Sequence, residues 1–251
     1  MSKSTELAGR VAVVTGAGRN IGRRIALELA AAGAAVLVNA RSNRQEAEAV
    51  AREIEDRDGR ALAWLADVAD VKAVEAMMAA TLERFGRIDL LVNNAALRRE
   101  QPLEHMSFAE WREILGVILD GAFHCVKAAL PQLRASGAGA IVNIGGLSAH
   151  TGAKHRAHVV TAKAGLVGFT RALAHDLVSD HVTVNCVAPG LIDTTRAPGT
   201  PEPAHHHVHG TLTGNRGTPD DIAATVRFLC GPRARYITGQ TFHVNGGAFL
   251  G

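Results

Sequence analysis

Tyrosine occurs once in this 251-residue chain, at Tyr236, and tryptophan only twice. With aromatics at 4 % of residues, the core must be filled by Ala, Val, Leu and Ile. That composition suits helices packed closely on a parallel sheet. Cysteine is scarce as well. Cys125, Cys186 and Cys230 are odd in number and widely spaced, which excludes a disulfide framework and reads as buried thiols of a reducing compartment. Neither sign of charge dominates: the formal net charge is +3, and the scattered bases form no stripe for a nucleic-acid backbone. Met1–Arg10 carries no apolar signal-type core, and no later stretch is expected to span a bilayer. The expectation is a soluble, cytoplasmic protein.

What is present is a strict alternation of short apolar runs and helix-period segments. Strands are expected at Val11–Thr15, Ala35–Asn39, Ala61–Leu65, Leu90–Asn93, Ala140–Ile144, Val182–Val187 and Thr241–Val244. Helices are expected near Ile21–Ala32, Arg44–Arg57, Val71–Phe85, Ser107–Ala135, Ala157–Ser179 and Pro219–Leu229. The pattern predicts an α/β, Rossmann-type, doubly wound parallel sheet of about seven strands with helices on both faces. No repeat or linker divides the chain, so residues 1–251 are expected to form a single dinucleotide-binding domain. One segment, about 194–217, breaks the rhythm with Pro198, Pro201, Pro203 and the run His205-His206-His207-Val208-His209. It is expected to be a substrate loop or lid.

Thr15-Gly16-Ala17-Gly18-Arg19-Asn20-Ile21-Gly22 follows the first strand and opens the first helix. In that setting a Gly-rich run points to dinucleotide binding: Gly16 permits the turn, Gly22 lets helix and sheet approach, and free helix N–H groups face the pyrophosphate. Asn20 stands where glycine is expected, and Asn is one of few residues that tolerate left-handed backbone angles. The second strand runs out into Asn39-Ala40-Arg41-Ser42, with no carboxylate for a ribose 2′-hydroxyl. Arg41, Arg19 and Ser42 instead suit a 2′-phosphate, so NADP(H) is preferred, with NAD(H) as the alternative. The histidine run lacks a second ligand pair at metal spacing, so no metal is expected.

These motifs resemble the short-chain dehydrogenase/reductase family almost end to end. The resemblance extends through Asp67-Val68, Asn93-Asn94-Ala95-Ala96, Ala188-Pro189-Gly190-Leu191-Ile192-Asp193-Thr194, and Ile237-Thr238-Gly239-Gln240 before Val244-Asn245-Gly246-Gly247. It implies that Asp67 and Val68 hold the adenine, that Asn94 lies near the ribose, that Ala95, Pro189 and Gly190 also bind the cofactor, and that Ile192 and Thr194 reach the nicotinamide carboxamide or the pyrophosphate. The family's chemistry rests on Ser, Tyr and Lys supported by Asn. Here Lys163 matches the lysine, but Val159 stands at the tyrosine position, Gly146 at the serine position and Ile118 at the asparagine position. Loss of a general acid costs roughly 10²–10⁴ in rate. In the family Lys163 would also hold the nicotinamide ribose.

Candidate replacements are Ser148, two residues beyond the vacant serine position, and the histidines His150, His155 and His158 flanking it. His158 adjoins Val159, which turns it about 100° away on a helix. Three functions stay open: an oxidoreductase with a substitute proton donor or a substrate needing none; a non-redox lyase, isomerase or hydrolase using histidine; and a catalytically silent nucleotide-binding protein. The substrate is expected to be a small molecule. The helices Ser107–Ala135 and Ala157–Ser179 are expected to build a homo-oligomer, dimer or tetramer.

Overall fold

The computed structural model describes residues 5–195 and 210–251. Seven parallel strands form one sheet in the order β3-β2-β1-β4-β5-β6-β7. They are β1 (Val11–Val14), β2 (Ala35–Ala40), β3 (Arg60–Leu65), β4 (Leu90–Asn93), β5 (Ala140–Ile144), β6 (Thr183–Pro189) and β7 (Thr241–Val244). Strands β1, β2, β4, β5 and β6 are buried along their whole length, because helices cover both faces of a parallel sheet. Chain order reverses between β1 and β4, the crevice where such sheets bind ligands. The expected fold is the observed one.

The first helices are α1 (Asn20–Ala31), α2 (Arg44–Glu55) and α3 (Val71–Phe85). Asn43 caps α2 by accepting from the Glu46 N–H, and Asp70 caps α3 through the Lys72 and Ala73 N–H groups. The long helix expected over 107–135 is continuous but not uniform. It comprises α4 (Phe108–Leu115), a π turn over Gly116–Asp120 and α5 (Gly121–Ala135). Gly121 is needed there, since a Cβ would lie 2.6 Å from Val68 Cγ2. Taken together, Phe108–Ala135 is long and apolar enough to cross a membrane, which corrects the expectation that no stretch would be. Its apolar side chains are used in packing: Ile114 and Ile118 lie against Val159, Ala162 and Leu166. After β5 come α6 (Ser148–Thr151), α7 (Ala157–Leu177) and α8 (Pro219–Cys230). Of the expected loop at 194–217, residues 196–209, with the histidine run, lie outside the described residues. Its far end pairs with the stretch following β6 through an isolated Ile192–Gly217 bridge.

Candidate functional site

The turn after β1 is built around Thr15. Its hydroxyl accepts from the Asn94 and Ala95 N–H groups at 2.9 and 3.0 Å. The Asn94 amide donates to the Thr15 and Gly16 carbonyls, both at 2.9 Å, so its NH₂ is spent on shaping the turn. Gly16 has φ +60° and donates to Asn39 Oδ1 at 3.1 Å. A Cβ at Gly22 would lie 2.2 Å from the Gly16 carbonyl and 2.5 Å from Asn94 Nδ2, so no other residue fits. The turn delivers the backbone to the N-terminus of α1, which has no side-chain cap and no acidic residue in its first turn. Such an end presents unpaired N–H groups and a partial positive charge.

Asn20, the first residue of α1, takes φ +52°, the left-handed angle. Its side chain does more than tolerate the turn. Oδ1 accepts from the Thr195 N–H at 2.9 Å and hydroxyl at 3.1 Å, while Nδ2 donates to the Thr195 carbonyl at 3.1 Å.

Arg41 and Ser42 are exposed just beyond β2, and Arg19 is exposed at the head of α1. The end of β2 itself carries no carboxylate, but Glu46, in the first turn of α2, brings one to the glycine turn. A Cβ at Gly18 would meet Glu46 Oε2 at 3.3 Å. Asp67 Oδ1 accepts from the Ala69 N–H at 3.0 Å, and the buried Val68 lends its carbonyl to His124 at 3.0 Å.

At the opposite end of the crevice, Lys163 is 8 % exposed and donates from Nζ to the Ile144 carbonyl at 2.5 Å. Burial, then the nearby Arg98 and Arg156 cations, push its pKa down to about 7. Cys186 opposes this only as a thiolate, and burial keeps it a thiol by raising its own pKa to about 11. Beyond β6, the Pro189 carbonyl accepts from Leu147 N–H and Gly190 N–H donates to Val244. Ile192 is buried and Thr194 half-buried on the same segment.

Val159 and Ile118, each 2 % exposed, share an apolar cluster with Ile114, Ala122, Ala162 and Leu166. Gly146 faces open space: a Cβ there would meet nothing within 4 Å. Ser148, half-buried, starts α6 and gives its carbonyl to Gly152 N–H. The three flanking histidines are not brought together. His158 is fully buried, its Nδ1 accepting from Val159 N–H at 2.9 Å and its Nε2 3.7 Å from Glu110 Oε1 on α4. His155 is exposed with φ +60° and lines a surface cavity of 370 Å³ with Arg156, Val160 and Gln101. His150 packs edge-on to His243 at 4.5 Å and lies 5.5 Å from Phe249. Burial, then His243 and Arg171, lower the His150 pKa, and burial lowers that of His243. Sequence reasoning missed Arg156, buried at the head of α7, two turns from Lys163. The seven-residue spacing on one helix face was its signal.

The likeness to known proteins spans the site and nearly the whole chain. A family model described as enoyl-(acyl carrier protein) reductase matches residues 16–248. A 3-oxoacyl-[acyl-carrier-protein] reductase of Staphylococcus aureus is 40 % identical over 240 residues, covering 95 % of this chain and 98 % of that protein. One from Synechocystis is 41 % identical over 248 residues, covering 98 % and 99 %. Among solved structures, a dehydrogenase/reductase from Sinorhizobium meliloti superposes with a TM-score of 0.92 at 36 % identity, covering 99 % and 98 % of the two chains. A short chain dehydrogenase from Burkholderia cenocepacia, in complex with NADP, gives 0.90 at 36 % identity, covering 97 % and 99 %. The chain belongs to the short-chain dehydrogenase/reductase family.

Proposed function

We propose that this chain is an NADP(H)-dependent oxidoreductase that reduces activated small acceptors, such as enoyl thioesters, enones or imines, without the family's phenol. One observation carries the reading. The glycine turn stays too tight for a Cβ at Gly22, while Val159 and Ile118 have become apolar core at the family's tyrosine and asparagine positions. The residues present fit a dinucleotide, because the α1 N-terminus offers N–H groups with no carboxylate of its own in front of them. Backbone at Gly16, Gly18, Ile21 and Gly22 would hold the pyrophosphate, and Arg19, Arg41 and Ser42 the 2′-phosphate. Asp67 and Val68 would flank the adenine, Asn94, Ala95 and Lys163 the ribose, and Pro189, Gly190, Ile192 and Thr194 the nicotinamide. When bound, the nicotinamide supplies the hydride.

Among the described residues, Lys163 is then the proton carrier placed at the reacting end. With its pKa lowered to about 7 by burial, it gives up its proton more readily than an ordinary lysine, and its Nζ donates to the Ile144 carbonyl. Carbon acceptors suit this arrangement because the proton they need can come from Lys163 or water. Simple ketones do not, since their oxygen has lost both phenol and serine. Gly146 leaves the acceptor space. The non-redox alternative draws little support from His158 and His150, which lie apart, the first buried 3.7 Å from Glu110 and the second packed on His243 and Phe249. By family likeness the molecule assembles as a homo-oligomer through Phe108–Ala135 and α7.

NADPH oxidation across ketone, enone, enoyl thioester and imine panels tests the reading. Turnover is expected on the activated acceptors, with simple ketones about 100-fold or more slower. NADPH that binds but is never oxidised on any panel overturns the enzymatic claim in favour of a silent binding protein.

A further inference from the structure

We infer that Asn20 is a positioning residue that latches the phosphate-binding turn to the segment following β6, and so sets how fast the dinucleotide enters and leaves. The inference rests on the cofactor reading above, but its first observation does not. Asn20 and Thr195 are 175 positions apart, yet three hydrogen bonds join them. Both ends of the amide are used, in the donor–acceptor pattern that one backbone offers another. Asn20 also adopts a left-handed angle that glycine would take at less cost. A side chain is kept where its backbone is disfavoured, and its visible contact is Thr195.

The other side of the segment is anchored independently. Gly190 N–H donates to Val244 at 2.9 Å, and Asp193 N–H donates to Gly217 at 2.8 Å. Residues 190–195 therefore form a strap running from the end of β6 to the N-terminus of α1. An anion held by the first N–H groups of α1 sits at that junction. On this inference the Asn20–Thr195 bonds open before a pyrophosphate reaches or leaves those groups.

Two measurements on the full chain test this. In the first, amide hydrogen exchange is followed without cofactor. Thr195 N–H is expected to be protected, and Asn20→Gly, which accepts φ +52°, is expected to accelerate its exchange by about tenfold. In the second, stopped-flow fluorescence follows NADPH. The observed association rate of the unaltered protein is expected to saturate with concentration, because latch opening comes first. In Asn20→Gly it should become linear while dissociation speeds up by about tenfold; Thr195→Ala, which removes only the hydroxyl bond, should give about two- to threefold. Thr195 exchange unchanged by Asn20→Gly overturns the latch outright. Accelerated exchange with NADPH rates within about twofold of the unaltered protein overturns its control of cofactor traffic. Accelerated exchange with no NADPH binding by any form overturns the cofactor reading and, with it, the latch's role.

Discussion

The two edges of the sheet are built on opposite rules. At the edge where strands begin, Asp89 is fully buried and completely answered. Arg87 donates to it at 2.6 and 2.8 Å, Arg10 at 3.2 Å, the Ser136 hydroxyl at 2.6 Å and the Val11 N–H at 2.9 Å. Burial pushes its carboxyl up, but the hydrogen bonds from Arg87, Ser136 and Val11 outweigh this and hold it below the usual range. At the edge where strands end, Lys163 is buried among cations with one backbone carbonyl as its hydrogen-bond partner, and Asn20 sits at a disfavoured angle. The first edge spends its polar groups on stability. The second tolerates local cost, which is where binding and chemistry are expected in a parallel sheet.

The sharpest way to break this division is Asp89→Ala. It leaves the buried Val11 N–H without its acceptor and takes the carboxylate from the half-exposed Arg87 and from Arg10, which keeps Ser136 and the Ala138 carbonyl. The expected cost is about 1–3 kcal/mol in urea-unfolding stability. NADPH affinity of the folded fraction should not change. The linkage has a definite sign: because the folded-state pKa is depressed, this stabilisation is present above the unfolded carboxylate range near 4 and is lost as pH falls through the folded value. Acid titration of both proteins should therefore converge at low pH. Gly22→Ala is the counterpart at the other edge. Its Cβ meets backbone and the Asn94 amide, and the forced shift is expected to cost about 1–3 kcal/mol in stability. NADPH affinity should fall about 100-fold, which equals about 2.7 kcal/mol. Intact NADPH binding in Gly22→Ala would dissolve the contrast.

Lys163→Met sharpens it further. A lysine depressed to about 7 binds its proton less readily folded than unfolded. Stability of the unaltered protein should rise with pH from about 7 to about 10, relative to a Lys163→Met variant that lacks this term. A flat difference between the two proteins over that window would mean that Lys163 is solvated or paired.

Most of the fold was legible because parallel strands buried on both faces read as short apolar runs, and glycine punctuates the turns between them. The boundaries that moved have local reasons. β6 runs on to Pro189, whose missing N–H is tolerable at the last residue of a strand, and the long helix absorbs a π turn beside Val68 that no periodicity announces. The glycine turn was legible as a motif, but the work of Asn94 within it was not, since its partners lie 78 and 79 positions away. The sequence reading puts Val159, Gly146 and Ile118 at the family's catalytic positions; the structure packs Val159 and Ile118 into one apolar cluster and leaves Gly146 facing open space. That His150 would turn toward His243 and Phe249 could not be read from sequence, because it depends on where β7 delivers residues remote in the chain.

Glu46 gives the smallest and most discriminating test. Sequence position alone hid it, since it lies six residues past the end of β2, yet the cap at Asn43 turns α2 so that its carboxylate stands beside Gly18. A negative charge there opposes the 2′-phosphate that Arg19 and Arg41 would attract. Neutralising it in Glu46→Gln should tighten NADPH binding by about two- to fivefold, the scale of a half-exposed charge interaction, while leaving NADH unchanged. The gain should shrink in about 1 M salt, where screening acts over roughly 3 Å. The opposite result, weaker NADH binding with NADPH unaffected, would mean that Glu46 accepts a hydrogen bond from a ribose 2′-hydroxyl. The adenosine end would then belong to NAD(H), and the paired arginines would be solvated loop charges.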